Sequence, residues 1–586
     1  MLKLLKNLNK KDWLYVFISA ILIVFQVWLE LKMPDYMSNI TQLVQTKGAA
    51  MNDILREGGY MLLCAFGSLV SAFIVGYFTS SISASFSYRT RGKLFRKVED
   101  ISTYEIKKFS PSSLITRTTN DITQIEFLIA MGLTLMIKAP ITAVWAVTKI
   151  VNKSIEWSIL TGVAVLVLLI TIGIIMIIVM PKFKIVQELL DKVNMVTREN
   201  LTGIRVVRAF NAEEYQEDKF EGINNKLTKQ QIFNQTAFNY LSPIMYLVMY
   251  FLTLGIYFIG AILINDAGMG DKIVLFGNMI VFSSYAMQVI MSFLMLAMIF
   301  MMLPRASVSA KRINEVLDTP ISVKEGTVTE NNSDIKGTVE FKNVSFKYPD
   351  ADEYVLEDIS FKVNKGEVIA FIGSTGSGKS TIVNLIPRFY DVTGGELLVD
   401  GINIKDANQK ELRKRIGFVP QKGVLFSGTI ESNIKYGDEN IPDEKMIEAA
   451  QIAQAEEFIN TKPDKYDEPI AQGGGNVSGG QKQRLSIARA IAIDPEIFVF
   501  DDSFSALDLK TDKILREELA KRTKDKTVII VAQRISTIMN ADQIIVLDEG
   551  KIVGKGTHEE LMKTCETYQQ IALSQLSKEE LENGRE

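Results

Sequence analysis

The chain has 586 residues, of which 47% are hydrophobic, with a formal net charge of −3, two cysteines and one histidine. That length exceeds one ordinary domain, and two cysteines exclude a disulfide framework. A near-neutral balance without a clustered basic face argues against nucleic acid as a partner.

Apolar residues crowd the first half. Six runs, at 14–30, 58–82, 128–149, 157–180, 241–264 and 274–303, are long enough to cross a bilayer as helix, which takes about 20 residues. Nothing comparable follows Pro304. Lysine and arginine gather before the first run (Lys3, Lys6, Lys10, Lys11), between the second and third (Arg89 to Arg117) and between the fourth and fifth (Lys182 to Arg208). The other connections hold only Lys47, Arg56, Lys153 and Lys272. The positive-inside rule then predicts both termini in the cytoplasm. The first run lacks a small-residue cleavage site and reads as an uncleaved span rather than a secretory signal.

The two basic connections, 83–126 and 181–240, carry few helix breakers and regular apolar spacing. They predict helices continuing from the spans into the cytoplasm, each with a short turn at its tip. Pro304 is expected to end the sixth span, with a short amphipathic helix at 308–317 after it. The predicted organisation is a transmembrane domain at 1–310, a linker at 311–338, a second domain at 339–576 and a charged, frayed tail at 577–586. From residue 339, strand-like runs alternate with helical ones, as in an α/β domain.

In "VIAFIGSTGSGKSTIVNLI" an apolar strand, a glycine-rich loop and a helix follow one another. Gly373, Ser374, Thr375, Gly376, Ser377, Gly378, Lys379 and Ser380 fit G-x-x-x-x-G-K-[ST], with Thr381 next. Glycines let backbone N–H groups wrap phosphates, and the helix N-terminus adds a favourable field. Lys379 suits the outer phosphates of ATP and Ser380 suits Mg²⁺. Four further features follow. Tyr348, ahead of the first strand pair, can stack on adenine. Gln421, in "GFVPQKGVLFSGTI", can touch Mg²⁺ or water. Ser478, Gly479, Gly480 and Gln481 open a basic helix, a second anion-binding N-terminus. In "IFVFDD" Asp501 stands at the strand end, where a carboxylate holds Mg²⁺.

On these residues the soluble half resembles the ATPase domain of an ABC transporter, and "SGGQKQRLSIARA" is highly specific to that family. "LITRTTNDITQIE" (114–126) and "VTRENLTGIRVVRAFNAEEY" (196–215) resemble the two cytoplasmic loops of its exporters, in which six spans precede one ATPase domain. The resemblance implies a six-helix all-α transmembrane domain with long cytoplasmic helical extensions, then an α/β P-loop ATPase domain with a helical subdomain. It also implies that two ATPase domains sandwich ATP between the phosphate loop of one and the signature of the other, so two chains are needed. Coupling to the spans would run through loop tips near Gln421 and 472–476.

Three polar positions depart from the family pattern, besides Val477, an apolar replacement of the family's usual leucine that is expected to matter little. Asp502 stands where a glutamate usually polarises the attacking water, Gln533 replaces the usual histidine, and Gln472 replaces a frequent glutamate. The sole histidine, His558, lies well beyond the strand "TVIIV" that precedes Gln533. A base must sit within hydrogen-bond reach of its water, and glutamine cannot become cationic. The expectation is a heterodimer: this chain contributes a slow site, with Asp502 and Gln533 in the catalytic positions, and an intact signature for a partner's competent site.

The substrate signal lies in the spans. Met287, Met291, Met295, Met298 and Met302 fall on one helical face, and soft thioethers suit varied apolar shapes; helix packing is the alternative. Ser283, Ser284 and Gln288 can line the same cavity. Lys138, near mid-depth in the third span, needs protein, water or a substrate anion beside it. No carboxylate is expected away from the span ends. The expected function is ATP-driven export of a small lipophilic or drug-like substrate across a bacterial plasma membrane. A homodimeric exporter, a peptide or lipid exporter, an importer and an ATP-sensing regulatory membrane subunit are the alternatives.

Overall fold

Apolar surface that cannot be hidden inside one chain dictates the first half of the fold. The computed structural model describes residues 2–46, 48–151, 155–329 and 335–576. The tail at 577–586, Lys47, Lys153 and 330–334 of the polar linker lie outside the described residues. The chain divides into two compact units, Met1–Val98 with Pro111–Asp318, and Glu99–Ser110 with Thr319–Glu586.

Among the described residues, six helices are long and apolar enough to cross a membrane: Lys10–Gln45, Met51–Asp100, Pro111–Val151, Ile155–Thr202, Glu213–Asp266 and Asp271–Leu317. The first is capped by Asn9, whose backbone N–H bonds Asp12 while its side chain accepts from Lys10. Buried Asp12 also pairs with Arg89 at 2.7 Å, tying the first helix to the second. Trp157, Ile256, Phe282 and Tyr285 centre the core of this unit. Gly260 sits where a Cβ would lie 2.5 Å from Met279 Sδ, the close approach that small residues allow between membrane helices. The two basic connections are helical with short elements at their tips, Thr103–Lys107 in the first and Ile204–Ala209 in the second.

Two expectations change here, and the open reading of Lys138 narrows to one. Pro304 does not end the sixth helix, which runs unbroken to Leu317 and absorbs the expected short helix; proline inside membrane helices is tolerated where neighbours satisfy the freed backbone. The first helix continues past its apolar run to Gln45, so Glu30 and Asp35 are helix-interior carboxylates. Lys138 faces protein, pairing with Glu30 at 2.8 Å.

In the second unit a six-stranded sheet runs in the order Lys551–Gly556, Gln543–Asp548, Val368–Gly373, Thr527–Val531, Ile497–Asp501, Ile416–Val419. Its strands pair in parallel except at the 551–556 edge. Strands covered on both faces read as continuous apolar runs, and alternation sends successive residues to opposite cores. Ala370, Phe498, Phe500 and Ile530 enter one; Ile369, Phe371, Val499 and Ile529 enter the other. A four-stranded antiparallel sheet, Leu356–Val363, Val339–Phe346, Gly394–Val399, Ile402–Asn403, adjoins the second core. Helices Ile430–Ile434, Asp443–Ile452, Glu456–Asn460 and Gly479–Ala492 form the helical part. Within the expected linker, Val328 N donates to Asp406 O and its carbonyl accepts from Asn408 N. Glu99–Ser110, at the tip of the first basic connection, packs with this unit.

Candidate nucleotide site

Open parallel sheets bind ligands beyond the carboxyl ends of their strands, and four neighbouring strand ends converge here. Val368–Gly373 leads into the phosphate loop, Ile416–Val419 toward Gln421, Ile497–Asp501 into Asp502, and Thr527–Val531 toward Gln533.

The loop's shape depends on glycine. Gly376 has φ +87° and no neighbour within 4 Å of a Cβ, whereas a Cβ at Gly373, φ +153°, would strike Leu547 O at 2.0 Å. The first leaves an open cradle and the second seats the loop against the sheet. Helix Lys379–Leu385 starts directly behind it. Lys379 Nζ donates to the carbonyls of Gly373 at 2.9 Å and Ser374 at 2.6 Å, an ammonium held where phosphate oxygens would replace carbonyls. Burial pushes the Lys379 ammonium below its ordinary value, and the charges of Asp502 and Asp501 partly oppose that.

Ser380 Oγ donates to Asp501 Oδ1 at 2.8 Å. Burial pushes the Asp501 carboxyl up; the Ser380 bond opposes this shift and the Asp502 charge adds to it. A hydroxyl beside a carboxylate is the hard-oxygen donor set Mg²⁺ prefers, so the residues present fit that ion.

Asp502 is 6% exposed and takes a left-handed backbone, φ +49°, which aspartate tolerates better than most residues. Its Oδ2 accepts from Gln421 Nε2 at 3.1 Å and Gln533 Nε2 at 2.7 Å. The structure thus brings all three sequence-predicted residues onto one oxygen. Gln533 is held from behind as well, its carbonyl accepting from Gln575 Nε2 at 2.7 Å.

Tyr348 lies between the two strands of its pair, half-buried, edge-on to Phe346 and Tyr390 and bonded to Thr381 Oγ1 at 3.2 Å. The tip helix Thr103–Lys107 reaches this aromatic rather than Gln421: Tyr104 bonds Asp350 and Lys107 Nζ lies 6.0 Å from the Tyr348 ring centre.

Ser478 caps helix Gly479–Ala492 in a reciprocal box with Gln481. Among the described residues no hydrogen bond joins this N-terminus to the phosphate loop. Gly479 has open space around it, and Gly480 faces Ala506 O at 3.4 Å. Sequence reasoning missed Gln483, which accepts from Gly423 N and donates to Pro420 O, fixing the Gln421 segment to the signature helix. It also missed Gln575 and Tyr104. In the first unit, Met287, Met291 and Met298 are exposed and Met295 is half-buried.

A family model described as ABC transporter matches residues 356–505, and one described as ABC transporter transmembrane region matches 16–293. An uncharacterized ABC transporter ATP-binding protein of Mycobacterium tuberculosis is 39% identical over 92% of this chain and 93% of its own length. The ATP-dependent lipid A-core flippase of Pseudomonas aeruginosa is 31% identical over 86% of this chain and 82% of its own. The structure of a bacterial Atm1-family ABC exporter with ATP bound shares the fold, with TM-score 0.81, 24% identity and coverage of 96% and 98% of the two chains.

Proposed function

The chain belongs to the ABC transporter family, as a membrane region and an ATPase domain in one polypeptide, and from that premise we propose that it is the slow-site half of a heterodimeric exporter of lipophilic compounds. The observation carrying this proposal is the double clamp on Asp502 Oδ2 by Gln421 and Gln533.

A general base must sit within hydrogen-bond reach of the attacking water. Asp502 is one methylene shorter than the glutamate it replaces, and two amide donors hold its carboxylate in place. Misplacement by about 1 Å costs on the order of 100-fold. Gln533 adds no positive charge toward a γ-phosphate. Binding remains supported: the cradle at Gly376, Lys379 and the helix behind it suit the phosphates, and Tyr348 suits the adenine. Mg²⁺ held by Ser380, Asp501 and Gln421 would neutralise charge between the outer phosphates.

The signature opens the second role. Ser478, Gly479, Gly480 and Gln481 form an intact capped N-terminus, suited to the γ-phosphate on a partner half-transporter that supplies the glutamate and histidine lacking here. The placement of lysine and arginine supports cytoplasmic termini. The name of the Pseudomonas relative supports a lipophilic substrate, and the exposed Met287, Met291 and Met298 suit one.

The test is asymmetric mutagenesis of the complex. D502N in this chain is expected to leave most ATPase activity, whereas G479D, which adds bulk and negative charge at the signature, is expected to abolish nearly all of it. Equal effects of the two substitutions would overturn the assignment.

A further inference from the structure

Two ion pairs join the first and third apolar helices, and they differ in one respect. Asp35 uses both oxygens: Lys149 Nζ bonds Oδ2 at 2.9 Å and Tyr285 hydroxyl bonds Oδ1 at 2.8 Å. Glu30 uses one. Its Oε1 accepts from Lys138 Nζ at 2.8 Å, Gln26 Nε2 at 2.9 Å and Ser68 Oγ at 3.2 Å. Among the described residues nothing bonds Oε2, and that atom is absent from the buried polar atoms lacking a partner. The second oxygen is therefore held in a fixed place and open to contact; the Glu30 side chain is 24% exposed and that of Lys138 18%.

Polar groups within a membrane region are costly and mark binding sites or helix contacts. Asp35 has the closed form of a helix contact. Glu30 does not. Thr142, one turn beyond Lys138 on the same helical face, is 7% exposed and its hydroxyl has no partner. Ile141 and Trp145, three and seven residues beyond Lys138, line an apolar recess of about 390 Å³ with Pro140, Val144 and Thr148. A fixed carboxylate oxygen and a recess containing an indole on the partner helix suit a cation with an apolar body, since aromatic faces also attract cations.

We propose that Glu30 Oε2 receives the charged group of a lipophilic monovalent cation whose apolar body rests along the 140–148 face. Lys138 opposes this with its own charge, so it sets the affinity rather than supplying it. The site rests on the reading of the chain as an exporter of lipophilic compounds and names the substrate class.

The test uses the full chain assembled with its partner half-transporter in lipid nanodiscs, titrated with ethidium, a cation, and Nile red, a neutral dye. E30Q is expected to weaken ethidium binding on the order of 10-fold, the scale of a lost charged hydrogen bond, and to leave Nile red unchanged. K138M is expected to tighten ethidium, a gain that a purely structural pair would not give. The double variant E30Q/K138Q removes both charges together, avoids a lone charge that would hinder folding, and is expected to weaken ethidium relative to wild type but less than E30Q, which leaves the Lys138 charge in place. Ethidium binding indifferent to E30Q and to E30Q/K138Q, or K138M weakening both dyes alike, overturns the site while leaving the exporter reading intact. A wild-type complex that binds neither dye overturns both.

Discussion

Converting Asp502 to glutamate and Gln533 to histidine should turn a slow ATP site into a fast one, but only when both changes are made. Hydrogen bonds to a charged group contribute about 1.5–3 kcal/mol each. Two of them on Asp502 Oδ2, at 3.1 and 2.7 Å, therefore hold the carboxylate by roughly 3–6 kcal/mol. At about tenfold in rate per 1.4 kcal/mol, moving it forward to reach a water placed for the longer glutamate costs on the order of 10²–10⁴. D502E alone lengthens the side chain but leaves both amides to grip it, and is expected to raise turnover by less than about 10-fold. D502E/Q533H removes the shorter of the two bonds and supplies an imidazole, and is expected to raise turnover by about 100-fold. The assay is phosphate release by the purified chain without its partner, in nanodiscs at saturating ATP and magnesium. A full rise with D502E alone would refute the clamp. So would a wild-type chain that, without its partner, already turns over near 10 per second, about the median for enzymes.

Three other outcomes follow from separate parts of the ATPase unit. G376V places a branched side chain at φ +87° in the open cradle and should abolish binding of a fluorescent ATP analogue; unchanged affinity would show that phosphates do not occupy the cradle. Q575A removes the bond to the Gln533 carbonyl and should cost about 1 kcal/mol, read as a lower melting temperature of the ATPase unit. Burial holds His558 below its ordinary value of 6.5, so the unfolded chain binds the extra proton first and stability falls as pH drops below about 6.5. H558Q should lose less melting temperature than wild type between pH 7.5 and 5.5, and equal losses would assign the acid sensitivity elsewhere.

What was readable in the sequence is what local chemistry constrains. The 373–380 loop needs glycines and a lysine at fixed spacing, and Asp501 must end an apolar strand, so both sites appear as short strings. Long apolar runs and alternating cores likewise follow from burial. The clamp was not readable, because Gln421 and Gln533 lie 81 and 31 residues from Asp502 and meet only where adjacent parallel strands end. Glu30 resembled a span boundary because polar residues follow it; only the partners on neighbouring helices reveal a helix running on to Gln45. Pro304 resembled a stop because a proline removes one backbone donor, but the sixth helix continues regardless. Glu99–Ser110 carries no string that announces its place with the ATPase unit.

Asymmetry between two subunits is the central claim, and composition of the native complex tests it most directly. Purified from its own membrane through a tag on this chain and weighed intact, the complex should contain one copy of this chain and one different half-transporter bearing the glutamate and histidine. Two identical copies splitting ATP at an ordinary rate would contradict it.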